Sequence, residues 1–139
     1  MFSSVFFMLI AVLIVGAILA LFIFFGRKPT SRLDMEKYQS RWLAIETSLD
    51  RSNPSTYHLA VLNADKLVDH ALRECHYQGE TMGERMKSAQ KKWSHASHVW
   101  SAHKLRNKLA HEPDATVAPD AGLRALSAYK QALKDLGAI

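Results

Sequence analysis

Two patterns of hydrophobic residues divide the chain. From Val5 to Phe25 every residue is apolar, without one charge or strong hydrogen-bonding side chain. As a helix rising about 1.5 Å per residue, this run covers roughly 30 Å, the hydrocarbon thickness of a bilayer. A helix also satisfies its own backbone groups in lipid. The pattern predicts a transmembrane helix at residues 5–25 that contacts membrane lipid, after a short N-terminal tail, residues 1–4.

A cleaved signal peptide is the competing interpretation of this run. Such a peptide has basic residues before a shorter apolar stretch and small residues at a cleavage site after it. Here Met1 to Ser4 carries no basic side chain, and the run ends in Phe24-Phe25-Gly26-Arg27. Both features favour a permanent anchor.

The charges beside the anchor predict its orientation. Residues 26–32 form a basic juxtamembrane linker, in which Arg27, Lys28 and Arg32 all precede the first acid, Asp34. Because basic flanks stay on the cytoplasmic side, we expect a single-pass protein of the cell membrane with its N-terminus outside and its C-terminal domain in the cytoplasm. A single cysteine, Cys75, also suits a reducing compartment.

The pattern changes to helical periodicity from residue 33 onward. Apolar residues recur every three or four positions, and no segment alternates with period two. The sequence predicts an all-α fold, an up-and-down bundle of four to five helices at residues 33–139. The expected core stripes are Met35, Tyr38, Trp42, Ile45 and Leu49; then Tyr57, Ala60, Val61, Ala64, Leu67, Val68, Ala71 and Cys75; and near the C-terminus Gly122, Leu126, Tyr129, Leu133 and Leu136.

Local signals place the boundaries of these helices. The first helix is expected to end near Asp50, and Pro54 suits the start of the second. Thr81 and Glu84 have the spacing of a capping box, which opens a short basic helix. A fourth helix is expected from about Ser94 to Ala110.

The fourth predicted helix carries charge within an apolar stripe. His103 and Arg106 share that stripe with Val99 and Ala110. A buried arginine is costly unless it is paired and fully hydrogen-bonded. We therefore expect Arg106 to have either a structural partner or a functional site.

The segment from Trp100 to Pro113, WSAHKLRNKLAHEP, resembles the signature helix of the HEPN superfamily, small helical bundles found in many ribonucleases and RNA-linked proteins. The family motif is Arg, a polar residue, a few variable positions and then His, and Arg106, Asn107 and His111 match it. The resemblance implies a HEPN-like bundle at residues 33–139 and a homodimer whose two motifs line one cleft. It further implies RNA cleavage without a metal or other cofactor.

The chemistry of that motif explains its residue types. A histidine near its ordinary pKa transfers protons to and from ribose oxygens. An arginine grips the scissile phosphate through a planar fork, and a polar asparagine orients either group. The catalytic candidates are therefore Arg106, Asn107 and His111.

A basic segment points to nucleic acid independently of the family. No Asp or Glu lies between Arg85 and His111, whereas Lys, Arg, His and Trp are frequent. Bases that neutralise phosphates beside aromatic rings are typical of nucleic-acid binders. The expected RNA-binding residues are Lys91, Lys92, His103, Lys104 and Lys108. A solvated face or contact with anionic lipid are the alternatives.

Two functional hypotheses follow from the sequence. The first is a dimeric, membrane-anchored interaction or RNA-binding module, in which Arg106 joins helices by pairing with an acid such as Asp65 or Asp69. The second is a metal-independent endoribonuclease that uses Arg106 and His111. His95, His98 and His103 have no acid or cysteine beside them in sequence, which argues against a metal site.

Overall fold

The computed structural model describes residues 2–26 and 33–139, and the chain divides into two compact units, residues 1–30 and 31–139. Arg27, Lys28 and Arg32 of the predicted basic linker lie outside the described residues. Each unit is described by itself.

The first unit contains one apolar helix, α1, Phe2–Gly26. From Ser3 to Phe24 this helix is long enough and apolar enough to cross a membrane. It begins at Phe2 rather than at Val5, so the two serines of the expected tail belong to the helix. The predicted N-terminal apolar helix is therefore present.

The second unit is a bundle of helices. Their bounds are α2 Met35–Thr47, α3 Ser55–Glu74, α4 Met82–Ser88, a 3₁₀ turn Gln90–Lys92, α5 Ala96–His111 and α6 Pro119–Asp135. All regular structure in the described residues is helical, which confirms the predicted all-α bundle.

Helix α3 is the centre of the bundle, since α2, α4, α5 and α6 all contact it. The predicted α3 stripe from Tyr57 to Cys75 is buried. On α6, Tyr129 and Leu133 are fully buried against it. Gly122 lets the two helices approach closely, because a Cβ atom there would lie 3.0 Å from the Tyr57 ring.

The helix ends follow local side-chain chemistry. The Thr81 side chain accepts from the Glu84 backbone and Glu84 bonds back to the cap, so the predicted capping box is present. Helix α2 ends at Thr47, before the expected Asp50. The hydroxyls of Thr47 and Ser48 donate to backbone carbonyls of the preceding turn, Leu43 at 2.9 Å and Ile45 at 2.7 Å, and so compete with helix continuation.

Candidate functional site

The side chain of Asp65 contacts three polar side chains from two other helices. It lies on α3 and is only 2% exposed. Its Oδ1 atom accepts hydrogen bonds from the Tyr129 hydroxyl at 2.8 Å and from His103 Nδ1 at 2.9 Å. Its Oδ2 atom lies 3.1 Å from Arg106 Nε. One carboxylate therefore joins α3 to α5 and α6.

The three partners of Asp65 contribute in different ways. Because a carboxylate only accepts, His103 donates to it from a protonated Nδ1. Burial, and then the adjacent Asp65 charge, raise the pKa of Tyr129, so its hydroxyl remains a donor. Arg106 Nε is close to the carboxylate but is not aligned as a hydrogen bond, so this contact is an ion pair.

Arg106 is only partly withdrawn from solvent, with 30% of its side chain exposed. Its Nη1 atom donates to Asn107 Oδ1 at 3.0 Å. The pairing with Asp65, which the sequence allowed as a structural alternative, is therefore present. Asp69, the other acid considered as a partner of Arg106, pairs with Arg85 instead.

Asp69 binds Arg85, a residue that sequence reasoning left in the basic segment. Arg85 is 5% exposed, and its Nε and Nη2 atoms donate to the two Asp69 oxygens at 2.7 and 3.0 Å. Its Nη1 atom donates to the Gly79 carbonyl at 2.7 Å. Arg85 is thus a buried, neutralised residue that fixes α4 to α3 and adds nothing to a basic surface.

His111 and Arg106 point to different sides of α5. A step of five residues turns a helix by about 140° beyond one full turn. His111 is exposed at the last position of α5, and within the described residues no hydrogen bond or ion pair joins it to Arg106. Asn107, one turn before His111, lies on the same side as His111. The structure therefore does not bring the three motif side chains into one contact within a single chain.

The exposed side of α5 carries two of the five predicted RNA-binding residues, Lys104 and Lys108. We define the outer face of α5 as Trp100, Lys104, Asn107, Lys108 and His111. Lys104 and Lys108 are exposed one turn apart, and neither has an ion pair in the part of the chain that the structure describes. Trp100 is 37% exposed, and α5 contains no acid. This face is a cationic strip with an accessible aromatic ring.

The remaining RNA-binding candidates lie elsewhere. Lys91 and Lys92 are exposed on the 3₁₀ turn before α5. His103 lies on the inner side of α5, where its side chain is 12% exposed and bonded to Asp65. Trp93 is buried, and its Nε1 atom donates to the Met86 carbonyl at 3.0 Å.

Other reactive side chains are engaged within the bundle or with one another. The rings of His95 and His98 stack with centroids 5.2 Å apart. Within the residues described, no group of three or more His, Cys, Asp or Glu side chains is arranged to hold a metal. Cys75 is buried, and burial raises the pKa of its thiol.

No family model, curated protein or solved structure matches the chain.

The contacts around Asp65 predict graded losses of stability. Asp65→Ala should lower the free energy of unfolding by about 3–5 kcal/mol, because the ion pair is broken and Arg106 is left uncompensated. Arg106→Ala should cost about 1–3 kcal/mol, since Asp65 keeps two other donors. Urea unfolding of the full chain in liposomes measures both, followed by tryptophan fluorescence because all three tryptophans lie in residues 31–139.

Lys104→Ala is the matched control for this series. It removes an exposed cation from the same helix and should change stability by less than about 0.5 kcal/mol. An Arg106→Ala variant as stable as this control would contradict a structural role for the Arg106–Asp65 pair.

Proposed function

We propose that the chain is a membrane-tethered helical module that binds RNA as a homodimer, with the outer face of α5 as its contact surface. The observation that carries this proposal is the pair of exposed lysines, Lys104 and Lys108. They lie one turn apart beside Trp100, with no acid on the helix to neutralise them. Such a strip attracts phosphates, and an exposed indole offers a surface for base stacking.

The engagement of Arg106 favours binding over chemistry. One side of its guanidinium group is held by a nearly inaccessible carboxylate at 3.1 Å. An arginine that grips a scissile phosphate needs its charge available to that phosphate. Because Asp65 offsets part of this charge, a binding module accounts for the arrangement more simply than an enzyme does.

The tether is the second part of the proposal. The length and apolar composition of α1 support a single-pass anchor. The basic residues at 27, 28 and 32 support an external N-terminus and a cytoplasmic domain at the cell membrane. A domain held this way would recruit RNA to the membrane surface. The resemblance of residues 33–139 to the HEPN superfamily supports the homodimer.

A metal-independent endoribonuclease is the second candidate function. It is favoured by His111, which is exposed with no bonded partner in the described residues, and by the exposed part of Arg106. In this proposal, His111 of one subunit and Arg106 of the other would lie in the same dimer cleft and together form one active site. The ribose 2′-oxygen would then attack the adjacent phosphorus and displace the 5′-oxygen, which leaves a 2′,3′-cyclic phosphate. One His111 would take the 2′-hydroxyl proton and the other would protonate the leaving 5′-oxygen.

Topology is tested with single cysteines in full chains that carry Cys75→Ala. Ser3→Cys should react with a membrane-impermeant maleimide on intact cells, whereas Asp114→Cys should react only after lysis. The mass of the labelled chain reports whether the N-terminal helix is retained. The reverse labelling pattern, or a chain that lacks α1, would refute the proposed anchor.

RNA binding is tested by the salt dependence of affinity. For single strands, the slope of log K against log salt is about −0.7 per phosphate contact, so Lys104→Gln with Lys108→Gln should flatten it by about 1.4. Fluorescence anisotropy of labelled RNA with the full chain in neutral-lipid nanodiscs measures this slope. Lys91→Gln with Lys92→Gln tests the 3₁₀ turn separately.

The control for the lysine variants is Arg41→Gln with Lys66→Gln, which removes the same charge from α2 and α3. This control should leave the slope nearly unchanged. If both double variants reduced the salt slope equally, RNA binding would depend only on the net charge of the protein. The outer face of α5 would then not be the binding surface.

Ribonuclease activity is tested on the same protein with RNA in excess chelator. The second candidate predicts cleavage that His111→Ala and Arg106→Ala both abolish, with products ending in a 2′,3′-cyclic phosphate. The first candidate predicts intact RNA that remains bound. Cleavage that persists in His111→Ala would point to a contaminating nuclease and reject the motif as its source.

A further inference from the structure

A groove runs between α2 and α3, two helices that the proposed RNA surface does not use. Its volume is about 420 Å³. The floor is apolar, since Ile45 and Leu67 are 7% and 5% exposed. The rim is open to solvent, because its residues are exposed: Arg41, Ala44, Ser48, Leu59, Asn63 and Lys66. A ligand in this groove therefore meets accessible side chains on both walls.

The charges on this rim are cationic and unpaired. Arg41 on α2 and Lys66 on α3 are both exposed, and neither has an ion pair in the part of the chain that the structure describes. Among the described residues that line the groove, none is Asp or Glu. Two bases from two helices, with no carboxylate on the same rim, are complementary to a phosphate group.

Acids beyond the two ends of the groove are already engaged. Helices α2 and α3 are antiparallel, because Lys37 near the start of α2 lies 3.3 Å from Glu74 at the end of α3. Glu74 also lies 2.8 Å from His70 Nε2. At the opposite end, the Asp50 carboxylate stays within its own turn, where Ser52 Oγ donates to it at 2.6 Å. Neither carboxylate lines the groove, which keeps its positive sign.

The other acids of α2 and α3 lie on different sides of these helices. Glu46 pairs with a lysine of α6 at 2.9 Å, and Asp65 and Asp69 contact α5 and α4. Glu36 precedes Arg41 by five residues, which places it about 140° around the helix. The positive rim of the groove is therefore not offset by acids of its own helices.

Leu59 adds an exposed aliphatic side chain to this cationic rim. It is 57% exposed and lies at the end of the groove near the α2–α3 turn. Bases beside an exposed aliphatic side chain suit the interface of a bilayer, where phosphates lie next to acyl chains. RNA bases would find no Phe, Tyr or Trp for stacking among the described residues that line this groove. The groove therefore favours lipid over RNA.

The proposed anchor keeps this groove close to lipid. Residues 27–34 connect α1 to α2, and at about 3.5 Å per residue they span at most about 28 Å. A tethered domain meets lipid headgroups at high effective concentration, whereas a soluble partner has to be present at a comparable concentration itself. We propose that the α2–α3 groove binds the phosphate group of an anionic glycerophospholipid, with Leu59 beside the acyl chains. This inference rests on the proposed membrane tether.

The test measures docking in full chains, with one chain in each nanodisc and no RNA. A single fluorophore is attached, in a Cys75→Ala background, at Ser55→Cys one turn before Leu59 or at Asp114→Cys between α5 and α6. Nitroxides on the lipid headgroups quench a fluorophore only at short range. Quenching at Ser55→Cys should be strong in discs of equal parts phosphatidylglycerol and phosphatidylcholine, and weak in pure phosphatidylcholine or at high salt. Quenching at Asp114→Cys should change little.

Equal quenching of Ser55→Cys in both kinds of disc would overturn the assignment of an anionic lipid. Equal increases at Ser55→Cys and Asp114→Cys would overturn the groove as the docking surface, because the whole domain would then approach the bilayer without a preferred side.

Two double variants of equal net charge test the cations. Arg41→Gln with Lys66→Gln should lower the ratio of docked to undocked domains about thirtyfold, at about fivefold for each base near an anionic surface. Lys104→Gln with Lys108→Gln removes the same charge from α5 and should leave this ratio unchanged. Equal losses in the two double variants, or no loss in the first, would overturn the proposal.

Leu59→Ser tests the aliphatic contact at an exposed position, where it leaves the core intact. It should lower the docked ratio about tenfold, because the serine side chain loses the apolar contact with lipid. An unchanged ratio would overturn the placement of Leu59 beside the acyl chains.

Competitors identify the alternative occupants. RNA that releases the domain from lipid equally in wild type and in Lys104→Gln with Lys108→Gln would assign the groove to RNA and overturn the proposal. Release by micromolar glycerol phosphate would assign it to a free phosphate compound.

The docking results are distinguishable from failure of the proposed function. The RNA test uses neutral lipid, in which the groove has no anionic headgroup to bind. A chain that does not stay in the nanodisc would refute the anchor, and this inference with it. A chain that stays in the disc without quenching at Ser55→Cys would refute the groove alone.

Discussion

The bundle depends on one buried carboxylate. A carboxylate that is 2% exposed cannot be solvated by water, so the chain must supply its hydrogen-bond donors. Asp65 obtains them from Tyr129 on α6 and His103 on α5, and Arg106 on α5 adds an ion pair. Since these donors come from two other helices, the contact fixes both the position of each helix and its rotation about its own axis. Apolar packing alone would tolerate small rotations at much lower cost.

Fixing the rotation of α5 gives its sides three different environments. His103 and Arg106 turn inward to Asp65, which forces Lys104 and Lys108 outward into solvent. The side between them and the core, which includes the buried Ala102, packs against α6. The proposed RNA surface is therefore a geometric consequence of this inward contact.

The sequence predicted the parts of this structure that depend on local or periodic signals. The α3 stripe and the Thr81–Glu84 capping box follow from spacing along one helix, so both were predictable. The partner of Arg106 was not decided, because Asp65 and Asp69 lie one turn apart on α3 and have the same chemistry. Only the packing of α4 resolves this ambiguity, by bringing Arg85 to Asp69.

The contact with Asp65 does not by itself exclude a functional Arg106. A guanidinium group has five donors in a fixed plane, and Asp65 approaches only the Nε side. The Arg106 side chain keeps 30% of its surface exposed, although the Asp65 side chain is only 3% exposed. Holding Nε against a buried acid removes rotational freedom from the guanidinium group, which is how a binding group is preorganised. The same ion pair therefore stabilises the bundle and orients the outer part of Arg106. What decides between the two proposed functions is whether this outer part of Arg106 meets the His111 of a second subunit, or whether RNA contacts only the lysines on the other side of α5.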